Sequence, residues 1–387
     1  MEPSGAVDGG RVGAGVGAAL SSLPFVLALL IPLGGIAVAI DPTGWKRFAL
    51  PAFIFGLVPI LDLVLGRQRA AIGVPFDPRR PRDLRFDIWL WAWIPLHVAG
   101  LAVAVHGFAN VTVDTVDVVG LMLLAASCGL VSGTGINVAH ELMHRPTAAE
   151  RGAAEALMTL ALYTHFCVEH VHGHHKRVAT PDDPASSRLG ESVYAFLPRT
   201  IIGGAISAWH LEGQRARRLG LAPLSLRDRR FRHPLLMAAA VTIVAGVAGV
   251  IGVVFFVVQA IVAVVLLETI NYIEHYALSR RAVGPEGSRV YERTTPWHSW
   301  NASERLTNWL LFHLQRHADH HHHASRPFHA LRHVDDSPQM PFGYATMLLI
   351  AMVPPLWWAV MNPRARQWHA RQDGVDAETG ADSAVSG

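Results

Sequence analysis

Residues 234–267 read PLLMAAAVTIVAGVAGVIGVVFFVVQAIVAVVLL, 34 positions without one charged side chain. A bilayer's hydrocarbon core is about 30 Å thick and takes about 20 helical residues. As one straight helix this stretch would be about 50 Å long. It therefore reads as two helices, 235–250 and 253–275, joined by a tight turn where Gly246, Gly249 and Gly252 gather. Working outward, four more apolar runs have the same character, at about 23–40, 48–65, 88–105 and 118–139. The expected fold is an all-α integral membrane protein with six transmembrane helices. A further apolar run, 344–361, is broken by Pro354 and Pro355 and reads as interfacial or re-entrant. Trp89, Trp91 and Trp93 at the head of the third run read as an interfacial aromatic belt.

The composition agrees. Of 387 residues, 51% are hydrophobic and 16% charged, against about 25% charged in soluble domains. Two cysteines, Cys128 and Cys167, exclude a disulfide scaffold, a Cys-ligated zinc ribbon and a fused rubredoxin-type iron site. The net charge of +3 is too small to point to nucleic acid. Residues 1–22 and 366–387 read as flexible tails around one membrane-embedded domain, 23–365. The loop between the second and third runs carries Arg67, Arg69, Arg79, Arg80, Arg82 and Arg85, whereas 106–117 carries no Lys or Arg. By the positive-inside rule the Arg-rich loop faces the cytoplasm, and both termini with it. The long segments 140–234 and 276–342 then also face the cytoplasm, and both are rich in Arg and His.

Histidine is the unusual residue: there are 22, many of them clumped. His140 and His144 form H-E-x-x-H at the end of the fourth run, four apart and so on one helix face. Alone, that motif would read as a zinc peptidase. His170, His174 and His175 form a second cluster, followed by a turn at Thr180-Pro-Asp-Asp-Pro184. His275 ends the sixth run beside Glu274, and His317, His320 and His321 form a fourth cluster. Nine such histidines exceed what one ion uses and suggest two metals. Glu141, Glu169, Glu274 and Asp319 neighbour these histidines. They are candidate acceptors for the outer N–H of metal-bound imidazoles.

The spacings H-x3-H, H-x3-H-H and H-x2-H-H resemble those of the membrane non-haem diiron desaturases, hydroxylases and monooxygenases. The longer words HELMHR (140–145), EHVHGHHKRVATPDDPASSRLGES (169–192), NYIEHYALSR (271–280) and LQRHADHHHHASRPF (314–328) resemble the AlkB-type alkane monooxygenases. One departure is Ala277, where that family usually has Gly. The resemblance implies a six-helix fold with a cytoplasmic histidine-rich diiron region in a bacterial-type inner membrane. It implies that His140, His144, His170, His174, His175, His275, His317, His320 and His321 hold two non-haem iron ions. His172, His322 and His323 lie where the family has no ligands.

The implied reaction is O2-dependent terminal hydroxylation of n-alkanes, with electrons from an external rubredoxin or ferredoxin and its NAD(P)H reductase. Sister activities sharing these spacings are aromatic methyl monooxygenation of the xylene type and fatty-acyl hydroxylation or desaturation. A hydrocarbon would enter from membrane lipid through an apolar channel, for which Ile54, Phe55 and Val58 on the second run are candidates. Carriers of this kind are typically acidic, so the basic stretch with Arg215, Arg217 and Arg218 is a candidate docking patch. Contact with anionic lipid headgroups is the rival reading of the same arginines.

Overall fold

A computed structural model of the chain describes residues 20–70, 82–285 and 288–385, with side chains as far as 374. Most of the expected N-terminal tail, together with Arg79 and Arg80, lies outside the described residues. In chain order the helices are α1 (Leu20–Ile40), α2 (Gly44–Leu65), α3 (Leu84–His106), α4 (Val118–Met143), α5 (Ala148–Leu160), α6 (166–177), α7 (Val193–Arg218) and α8 (Arg229–His275). Then follow α9 (Arg305–Leu310), α10 (His317–His322), α11 (Tyr344–Ala351) and α12 (Pro354–Val385). Among the described residues, β pairing amounts to three isolated bridges. Side-chain oxygens start several helices by accepting from otherwise unpaired backbone N–H groups. Asp83, Asp117, Ser192 and Asp228 do this for α3, α4, α7 and α8. Thr147 and Glu150 form a capping box on α5.

Helices α1 to α4 and α8 are long and apolar enough to cross a membrane. The bent pair α11 and α12, turned by 119° over 344–374, makes a sixth candidate if counted as one span. The 47 residues of α8 do not run straight. Thr164 Oγ1 lies 3.5 Å from Met237 Sδ, and the neighbouring Tyr163 hydroxyl donates to Glu268 at 2.8 Å. On a straight helix Met237 and Glu268 would stand about 46 Å apart, so the chain doubles back between them. The reversal falls at Ala248 (φ −133°, ψ 15°) and Gly249 (φ 58°, ψ −157°). The second is a backbone region open essentially to glycine alone. The expected tight turn is present, three residues earlier than the 251–252 read from the sequence.

The core is centred on α4, in which every side chain from Ser127 to Met143 is buried. Polar residues inside the spans find one another there. Ser132 joins His97 (3.0 Å) to Gln259 (2.6 Å), linking α3, α4 and α8. Asp62 on α2 accepts from the Thr307 backbone N–H at 3.0 Å and its hydroxyl at 2.5 Å, fixing the start of α9. At one end of the bundle Ala248 packs in a cluster with Val105 and Leu121, and Arg47 pairs with Asp117. At the other end Arg67 pairs with Glu304, and Arg316 donates to the carbonyls of Gln68 and Ala70. The Arg-bearing loop after α2 thus meets the segment that carries the fourth histidine cluster.

Two sequence expectations need correction. Trp93 does not belong to an interfacial belt: it is fully buried, with its ring against His97, while Trp91 is exposed. The segment from 366 is not a loose tail at its start, because α12 continues through it. Trp368 there is buried against Trp297, and the His369 ring meets the Ala277 carbonyl at 2.7 Å. Ala277 itself has φ 58°. The left-handed conformation costs a residue with a Cβ about 1–2 kcal/mol, which explains why glycine suits this position.

Candidate metal centre

The nine histidines converge in two groups. His140, His144, His170, His175 and His320 place one nitrogen each within 4.8 Å of one another, and so do His174, His275, His317 and His321. The first pair follows from the α-helical spacing of four on α4. The second cluster does not obey that spacing. Residues His170–His174 form a π turn, closed by the bond from the His175 N–H to the His170 carbonyl. The extra residue per turn sets His170 and His175 side by side, Nε2 to Nε2 at 3.0 Å, and swings His174 into the other group. Such single π turns are frequent at functional sites. Gly173 permits this one, since a Cβ there would stand 2.5 Å from the Glu169 carboxylate and from Arg177 Nη2. On α10, His317 and His321 share a face and go to the four-histidine group, while His320 turns to the five.

The inward nitrogens are Nε2 throughout the close contacts: His175 to His320 at 3.2 Å, His174 to His321 at 3.3 Å and His275 to His317 at 3.3 Å. Two nitrogens bound at right angles to one ion at about 2.1 Å stand about 3.0 Å apart. The Nε2 atoms of His140 and His144 are buried without a hydrogen-bond partner. Burial holds His170, His175, His317, His320 and His321 well below the ordinary imidazole pKa, and pulls His144 down to about 3. The rings are therefore neutral, the form that binds metal. A set of neutral imidazoles without thiolate suits non-haem iron. His172 and His322 are exposed, and His313 bonds the Phe328 carbonyl at 3.0 Å, as packing residues would.

The carboxylates next to the histidines mostly serve arginines instead. Glu141 accepts from Arg145 at 2.6 Å and from the Phe328 N–H. Glu169 accepts from Arg177 at 2.6 Å, and burial raises its carboxyl to about 7. Asp319 accepts from Arg326 and from the Arg332 N–H. Of the four expected acceptors, only Glu274 touches a clustered histidine, its Oε2 3.2 Å from His317 Nε2. The outer acceptor that the sequence reading missed is Asp183, 2.9 Å from His174 Nδ1. It sits in the Thr-Pro-Asp-Asp-Pro word, read from sequence only as a turn.

An apolar cavity lies within the bundle; no clustered histidine lines it, and its link to the centre is Tyr344, whose hydroxyl donates to Glu274. Ile54 and Val58 on α2 line it, with Gly133 and Asn137 on α4, Ile270 on α8, and Tyr344. Phe55 is not among its lining residues and packs instead against the two adjoining hydrophobic clusters. A polar cleft reaches His144 between Arg151, Arg215, Arg229 and Arg232.

Residues 116–351 match the fatty acid desaturase family, the class that the helical bundle and its histidine clusters define. Alkane 1-monooxygenase 1 of Pseudomonas aeruginosa is 42% identical over 336 residues, 86% of this chain and 86% of that protein. Alkane 1-monooxygenase 2 of the same organism is 40% identical over 334 residues, 86% of this chain and 87% of that one. The xylene/toluene monooxygenase hydroxylase component of Pseudomonas putida is 26% identical over 324 residues, 83% of this chain and 84% of that protein. The chain belongs to the alkane 1-monooxygenases of the desaturase superfamily. It is a membrane monooxygenase.

Proposed function

We propose that the protein hydroxylates the terminal methyl group of n-alkanes: R–CH3 + O2 + 2e− + 2H+ gives R–CH2OH + H2O. The observation that carries this reading is the pair of inward-facing imidazole groups, with an apolar cavity in the same bundle linked to them through Tyr344 and Glu274. Two non-haem irons held by the nine histidines would supply the dioxygen-activating redox chemistry. The cavity walls would hold a chain that has no polar handle and keep water from its reacting end. Alkane-hydroxylating relatives by name, at 40–42% identity, support the substrate class. The test uses membranes containing the protein, an electron carrier with its reductase, NAD(P)H and 18O2. Octane, dodecane, hexadecane and p-xylene are offered in parallel. Labelled 1-alkanol is the expected product. Labelled methylbenzyl alcohol without alkanol would move the protein to the xylene type.

Sorting by chain length then depends on the depth of the cavity. Ile54→Trp is expected to shorten the longest alkane accepted, because the larger ring would project where Ile54 now lines the wall. One methylene is worth about 1–3 kcal/mol in such a site, so the profile should shift by graded steps. An unchanged profile by competition between alkanes would remove α2 from the channel.

Electrons would arrive from a rubredoxin or ferredoxin. Arg217 and Arg218 are exposed, while Arg215 is partly neutralised by Glu212 at 2.6 Å and lines the cleft that reaches His144. An acidic carrier over this patch would stand close to the five-histidine group. Reversing Arg217 and Arg218 to glutamate is expected to raise the KM for the carrier and to leave membrane association intact. Equal KM values would transfer the patch to lipid headgroups. With both arms of α8 counted, the bundle would cross the bacterial inner membrane six times, with the metal centre and both termini on the cytoplasmic side.

A further inference from the structure

The two histidine groups are unequal: five nitrogens against four. The smaller group has a carboxylate at its rim. Glu274 precedes His275 on α8 and is almost wholly buried. Its Oε2 lies 3.2 Å from His317 Nε2, the nitrogen that also faces His275 Nε2 at 3.3 Å. That is the inward atom of the ring, not the outer N–H that an orienting carboxylate would accept. Compare Asp183, which stands against the outer Nδ1 of His174. The other oxygen, Oε1, accepts from the Tyr344 hydroxyl at 2.7 Å. Among the described residues Glu274 has no ion-pair partner other than His317. A buried carboxylate needs a proton or a cation beside it.

We infer that Glu274 is a fifth donor to the ion held by His174, His275, His317 and His321, kept in place by the Tyr344 phenol. The inference rests on the two-iron reading above. It gives both ions five protein donors and sets one negative charge against the four positive charges of two ferrous ions in neutral imidazole. It also ties the ion to the apolar cavity, since Tyr344 is part of the cavity wall.

The test is 57Fe Mössbauer spectroscopy with an iron count on the purified full-length protein, for wild type, Glu274→Gln and Tyr344→Phe. Affinity alone does not discriminate, because losing a hydrogen-bonding neighbour also weakens metal binding about 10–100-fold. Wild type should hold two irons per chain in two quadrupole doublets. In Glu274→Gln one doublet should move, or disappear with its iron, while the other stays unchanged. Tyr344→Phe should move the same doublet and keep both irons. Two unmoved doublets at full iron in Glu274→Gln would overturn the assignment. If that variant does not fold, unmoved doublets in Tyr344→Phe would do so. A wild type with fewer than two irons sinks the two-iron reading, and this inference with it.

Discussion

His175→Ala should lose at least one iron per chain and at least about 100-fold in alkanol formation. Its Nε2 stands 3.0 Å from that of His170 and 3.2 Å from that of His320, so it occupies the middle of the five-histidine group. Loss of a neighbour that merely orients a ligand already costs about 10–100-fold in affinity or activity. Loss of the donor itself should exceed that. The residue lies outside the hydrophobic core clusters. His172→Ala is the matched control: three residues away, exposed and in neither group. It should keep its iron and its turnover. Iron per chain by mass spectrometry, with turnover of a single alkane, checks both. Full iron in His175→Ala would remove that histidine from the centre.

The second large effect is expected at Asp183. Its Oδ2 lies 2.9 Å from His174 Nδ1 and accepts from the Ser186 hydroxyl at 2.6 Å. Burial acts to raise this carboxyl, but the His174 ring and Ser186 outweigh it and hold the pKa below the ordinary carboxylate range. As an acceptor at Nδ1 this carboxylate would hold the His174 proton there and leave Nε2 for metal. Asp183→Asn keeps the shape and removes the charge. Iron at the four-histidine group should bind about 10–100-fold more weakly, as read by chelator competition. The five-histidine group should hold its iron as before. Equal competition curves for Asp183→Asn and wild type would show that this carboxylate only ties the turn together.

Both variants mark the boundary of what the sequence discloses. Residues four apart on a regular helix share a face, so His140 and His144 were legible as partners. Membrane helices were legible because hydrocarbon demands long uncharged runs. The assignment of His170 with His175, and of His174 elsewhere, was not legible. It depends on a π turn, which inserts a residue without altering the pattern of residue types. The carboxylates misled for a related reason. Proximity in sequence put Glu141 and Asp319 beside histidines, but arginines just as near in sequence, Arg145 four residues on and Arg326 seven residues on, take them first. Asp183 reaches His174 across nine positions, through a turn whose course no periodicity encodes. Trp93 failed likewise, because its position near the end of a span said less than the neighbour, His97, that it packs against.

The reversal at Ala248 and Gly249 bears on how the polypeptide is made. The α8 hairpin has no hydrophilic loop between its arms, only two non-helical residues, and its basic residues sit at the start of the first arm, Arg229, Arg230 and Arg232. During biosynthesis nothing with a hydration shell has to be hauled through the bilayer to set the second arm. The pair can slip in as one unit, anchored by those arginines. The ribosome then delivers Glu274 and His275 to the same side from which the hairpin entered, in time to meet histidines synthesised a hundred residues earlier.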